Sequence, residues 1–139
     1  CAGKEYFLLH QRRREPYFGF WGIGSGPVPY GVSITQAAHD ELLKQTGLAA
    51  TFEHRGVLRV IDTDPAGEVR EDKLFSLMHA QVDGCPPLSE WPGGVSVWMT
   101  EQEALRQTPL FQATRQTIDM YHQHTAFAET TCEYSDEQY

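Results

Sequence analysis

Both ends of one helix are written into the stretch "SITQAAHDELLKQTG", Ser33 to Gly47. Ser33 is a helix-capping residue and Gln36, three positions on, can reach back to it as a capping box, while Gly47 supplies a left-handed stop. Between them Ile34, Ala37, Ala38, Leu42 and Leu43 recur at helical spacing and predict an inward stripe. The preceding residues 12–31 hold Pro16, Pro27, Pro29 and several glycines around "YFGFW", the composition of a definite loop. The rest of the chain must pack around this loop–helix unit.

Strands are expected on either side. Tyr6–His10, "YFLLH", has strand composition, and Gly3-Lys4 before it suits a hairpin turn whose first strand would lie ahead of this sequence. Thr51–Asp62 is a β-branched and apolar run with Gly56 at a bulge; "TDPAGE" turns it, and Lys73–Val82 pairs back. Residues 85–94 read as a loop, "VSVWM" as a short strand, and Thr100 with Glu103 as a second capping box opening "EQEALRQ". A last helix is expected from Thr108-Pro109 to Gln123, with Pro109 in its first turn. The alternation predicts an α/β protein: an α/β/α sandwich with a mixed central sheet between the Ile34–Thr46 and Pro109–Gln123 helices. Residues 1–127 make one domain, and 128–139 an acidic tail whose end, "EYSDEQY", is expected to fray.

Composition narrows the function. A formal charge of -8, from 19 acidic and 11 basic residues, repels a phosphate backbone and excludes general nucleic-acid binding, leaving a small anionic ligand at a local basic patch. No apolar run approaches the roughly 18 residues of a membrane span and nothing at the start resembles a signal peptide, so the expectation is a cytoplasmic protein. Cys1, Cys85 and Cys132 are far apart and odd in number, and are expected to be reduced thiols. A homodimer stays open.

Laid over Gly26 to Leu48, "GPVPYGVSITQAAHDELLKQTGL", the sequence resembles the Nudix family box: glycine, five residues, glutamate, seven residues, Arg-Glu, an aliphatic, any residue, Glu-Glu, any residue, glycine, aliphatic. Gly26, Glu41, Leu42, Gly47 and Leu48 match without a gap. "FLLHQRR", "FWGIGSGPV" and "GVSVWMTEQEAL" resemble the strand, the turn and the later strand and helix around such a box. Val32 stands for the first glutamate, Asp40 for the arginine, Lys44 and Gln45 for the paired glutamates, and Gly24-Ser25 for the usual Pro-Gly. The resemblance implies a Nudix-like fold and an ion pair, lost here as a unit at 32 and 40, that braces the loop on the helix.

It also implies a site. Residues 41, 44 and 45 share one helical face at i, i+3 and i+4, where three carboxylates would hold Mg2+ for pyrophosphate hydrolysis. An ammonium at Lys44 opposes this: two like unit charges about 4 Å apart repel by about 4 kcal/mol at an effective dielectric near 20. No metal is therefore expected, and Glu41 remains as the residual catalytic candidate. Lys44 and Gly26, with Arg12 and Arg13 of the basic run Arg12-Arg13-Arg14 and Tyr17 as a stacking residue, are the candidate ligand contacts; Trp21 is expected in the core. The leading expectation is a degenerate Nudix domain binding a nucleoside-diphosphate-type or other phosphorylated ligand with little or no hydrolysis. The alternative is a Mg2+-dependent pyrophosphohydrolase using Glu41 with carboxylates from outside the box, such as Glu90, Glu101 or Glu103; a protein interaction domain is the third.

Overall fold

The computed structural model describes residues 1 and 3–139. Helix α1 covers Ile34–Thr46, its Ser33 cap accepting from the Gln36 N–H at 3.1 Å and Gly47 closing it at φ 76°. Only half of the capping box forms, because the Gln36 amide donates to Asp40 Oδ1 at 2.7 Å instead of reaching back. The stripe also differs from expectation. Ala37 is buried, but Ile34 and Leu43 are exposed, and Gln45 and Thr46 are buried in their place. The helix is thus anchored through its last turn, where Thr46 Oγ1 donates to the Leu42 carbonyl and the Thr46 carbonyl accepts from Ser89 N–H at 2.8 Å.

Two three-stranded sheets take the place of the single sheet expected. In the first, β1 (Phe7–Arg12) pairs antiparallel with β2 (Trp21–Ile23) on one edge and β5 (Gly94–Met99) on the other. In the second, β3 (Glu53–Thr63) pairs antiparallel with β4 (Val69–His79) and parallel with β6 (Phe127–Glu133), so only this sheet is mixed. No pairing is found between the edge strands of one sheet and those of the other among the described residues. The register shift expected at Gly56 is present, and a side chain there would collide with the Thr125 carbonyl. Strand β4 starts four residues earlier than expected. The Asp64 carboxylate accepts from the N–H groups of Ala66 and Glu68, both at 2.9 Å, and this tight turn lets pairing begin at Thr63 and Val69.

Two short helices complete the architecture. Helix α2 (Glu101–Leu105) has the full Thr100–Glu103 capping box. Helix α3 runs over Ala113–Gln123, not from Pro109. Its expected first turn is committed elsewhere: Trp21 N–H donates to the Pro109 carbonyl and Phe111 N–H to the Trp21 carbonyl, both at 2.9 Å, so residues 109–111 extend along β2.

The main core joins Tyr17, Phe20, Leu58, Val60, Met120, Cys132 and Tyr134, and a smaller one Leu9, Met99 and Ala104. Trp21 is half-buried rather than buried. The expected frayed tail is corrected as well. Strand β6 crosses the 127/128 division, Tyr134 is buried, and the Tyr139 ring packs 5.1 Å from that of Tyr17. The thiols need a further correction: Cys1 and Cys85 are joined in a disulfide with Cα atoms 5.7 Å apart, and only Cys132 is free. The loop after β4 folds back onto the lead-in to β1, a proximity hidden by a separation of 84 residues. Among the described residues no helix is long and apolar enough to cross a membrane.

Candidate functional site

The site is built where the last two turns of α1 meet the loop after β2. Gln45, with 7% of its surface exposed, donates to the Ser25 carbonyl at 3.2 Å and to Glu41 Oε1 at 2.9 Å. One neutral amide therefore ties loop to helix, the work that the resemblance assigns to an ion pair between positions 32 and 40. Gly26 lies directly on Glu41, so close that a Cβ would overlap its carboxylate, and a Cβ at Gly24 would come within 3.1 Å of Gln45 Oε1. These two positions are glycine because the helix side chains fill the space.

Glu41 takes two contacts on one carboxylate oxygen. Besides Gln45, Lys44 Nζ lies 3.8 Å from its Oε1. Asp40 turns away, accepting from Gln36 and paired with His39, and these contacts hold its carboxyl below the usual range. Lys44 pairs with Glu41 at i, i+3. The donor set on this face is thus one carboxylate, one amide and one ammonium. It does not fit Mg2+, which takes oxygen ligands in a near-octahedral shell. Among the described residues no group of three or more His, Cys, Asp or Glu side chains is placed to hold a metal ion.

Of the expected ligand contacts, some converge and some do not. Lys44 reaches over the ring of Trp91, 5.4 Å from its centroid, and Arg14 approaches the same ring at 5.3 Å. His10 of β1 stacks near it at 5.6 Å, with Nδ1 3.5 Å from Ser96 Oγ. Burial, then the Arg12 and Arg14 guanidiniums, lower the His10 pKa against the opposing pull of Glu41. Arg12 is spent locally: its Nε donates to the Pro16 carbonyl at 2.8 Å, fixing the loop that presents Arg14. Arg13 is exposed, its N–H bonded to the Gly93 carbonyl. Tyr17 is corrected outright as a stacking residue, because it is 3% exposed among other aromatic rings and its hydroxyl donates to Asp62 at 2.8 Å. No contact brings Glu90 to Glu41, and Glu101 and Glu103 sit at α2, pairing with His122 and capping the helix.

The sequence assigns Trp91 no role and identifies no partner for His10. Both were visible, Trp91 as an aromatic in a Pro/Gly-rich loop and His10 as a polar residue in an apolar strand; what was hidden is that β1 pairing with β5 draws the two together.

Solved structures share this fold. The MutT protein of Bacillus halodurans matches at 21% identity over 96% of this chain and 85% of its own, with a TM-score of 0.67. A MutT Nudix hydrolase from Burkholderia pseudomallei matches at 26% identity over 82% and 86%, TM-score 0.60. The chain has the Nudix fold. The Nudix domain of Shewanella oneidensis NrtR, solved with ADP ribose, is a further neighbour of this Nudix-fold protein at 20% identity over 85% and 76%, TM-score 0.55. No protein-family model and no curated protein matches the sequence.

Proposed function

We propose that this Nudix-fold protein binds a nucleoside-diphosphate-type or other phosphorylated ligand with little or no hydrolysis. The observation that carries the reading is the state of Glu41, whose carboxylate is bonded to Gln45 and paired with Lys44 on the face where metal-binding carboxylates would stand. With one of its oxygens bonded to an amide and an ammonium beside it, this single carboxylate offers a hard cation too few oxygen ligands. The ligand class is supported by the fold and by the ADP ribose bound to the NrtR domain. A local basic pair supports it too: Arg14 and Lys44 both approach the Trp91 ring in a chain that is otherwise strongly acidic.

In this reading the residues of the chain bind and orient. Gln45 and Gly26 hold the loop in place, and Lys44 supplies the charge that a metal would otherwise bring to the phosphates. The test is calorimetric titration with ADP ribose, in millimolar magnesium and in EDTA, with AMP release followed in parallel. Binding of similar strength in both conditions without AMP release is the expected result. Magnesium-dependent release that Glu41→Gln abolishes would replace this reading with the hydrolase.

A further inference from the structure

Three separate elements bring two cations to one aromatic ring. Arg14 comes from the loop between β1 and β2, Lys44 from the last turn of α1, and Trp91 from the loop between β4 and β5. The indole is held in place by its own loop. Ser89 N–H is bonded to the Thr46 carbonyl and its side chain packs on Gly47; Trp98 Nε1 donates to the Pro86 carbonyl at 3.0 Å; and the ring lies where Gly93 has no side chain.

The two cations are loosely committed. Arg14 is exposed and forms none of the ion pairs found among the described residues. The Lys44–Glu41 pair is long, with Lys44 more than half exposed, a geometry of small energetic weight. A cation over a half-buried ring is likewise held by only a modest attraction. Charge-assisted hydrogen bonds to phosphate oxygens are stronger than either, so a phosphate arriving between them draws both cations off the indole.

From this we propose that Arg14 and Lys44 form a metal-independent clamp for a pyrophosphate group, with Trp91 as the surface on which the clamp rests when empty. The inference rests on the ligand-binding reading above and adds the residues and the group they grip. Arg14 has the planar fork suited to two oxygens of one phosphate, and Lys44 is a point charge suited to the next. Burial and the Arg12 and Arg14 guanidiniums disfavour the charged form of His10 beside the clamp.

Inorganic pyrophosphate in EDTA is the probe, followed by tryptophan fluorescence and by calorimetry on the full chain. Binding is expected to change the fluorescence saturably and to weaken with ionic strength. Trp91→Phe should remove the fluorescence change while calorimetric binding persists. Arg14→Gln and Lys44→Gln should each weaken binding by about tenfold, the scale of one charged hydrogen bond. Both positions are exposed, so circular dichroism should show the variants folded. The clamp is overturned if pyrophosphate does not bind without metal, or if both variants bind it like the native chain. Binding of ADP ribose that ignores both substitutions would sink the clamp alone; pyrophosphate gripped as expected alongside magnesium-dependent AMP release would sink the non-hydrolytic reading alone.

Discussion

Gly26 and Glu41 occupy one space, and that contact sets the position of the only acidic side chain on the box face. In Gly26→Ala the new Cβ would displace the Glu41 carboxylate and pull it from Gln45. A loss of about 1–2 kcal/mol is expected in urea denaturation, the usual cost of one overpacked contact. His10 gives a second residue-scale test. Its pKa is lowered in the fold by burial and by Arg12 and Arg14, partly offset by Glu41, with neutral Ser96 and Trp91 as its other neighbours. Below the ordinary imidazole value of about 6.5 the unfolded chain therefore binds a proton that the folded chain resists, and stability falls as pH drops from that value toward the lowered one. Thermal melts across this window should show that slope, and His10→Asn should flatten it. Single residues were the least legible scale in the sequence. The matches at Gly26 and Glu41 could be read from spacing, but Tyr17 was assigned to a ligand when its hydroxyl serves Asp62, a partner 45 positions away.

Helix α1 carries the chemistry at the scale of elements. Its bounds were readable because Ser33 and Gly47 act locally, whereas the start of α3 was not, because strand β2 competes for the backbone of residues 109–111. The face of α1 can be rewritten. Lys44→Glu with Gln45→Glu places three carboxylates together, one of them at a buried position, and without metal should cost about 2–4 kcal/mol from their mutual repulsion. Magnesium should then raise the melting temperature of the double variant and leave that of the native chain unchanged, since only a folded site that binds the ion gains stability from it. A native chain stabilised equally by magnesium would contradict the account of this face. Hydrolysis is a harder demand, because Val32 and Asp40 remain and an ångström of looseness can cost about a hundredfold in rate.

Across the whole molecule, the C-terminal residues knit the second sheet to the loop that bears the arginines. Lys73 bridges Glu71 and Asp62; burial opposes its charge, but these hydrogen bonds outweigh it and raise its pKa. Asp62 also receives Tyr17, whose N–H is bonded to the Tyr139 carbonyl, while Arg70 pairs with Asp136. Removing residues 134–139 should therefore cost about 3–5 kcal/mol, as for deletion of a buried aromatic, where a frayed tail would cost less than about 0.5. Denaturant titration of the shortened chain distinguishes the two. The tail misled the sequence reading because its acidic composition is that of a solvated end, while its tyrosines find partners only through the parallel pairing of β6 with β3. The α/β class and the order of most elements were legible, since they follow from local periodicity and caps; the split into two sheets and the disulfide depend on long-range pairing. On the proposed function, the scaffold binds a phosphorylated ligand without carrying out the metal-dependent reaction. A single-turnover assay tests it most directly, with the native protein in excess over a nucleoside diphosphate derivative in millimolar magnesium. The ligand is expected to be recovered intact; cleavage of its pyrophosphate bond, abolished by EDTA and by Glu41→Gln, would show a working hydrolase instead.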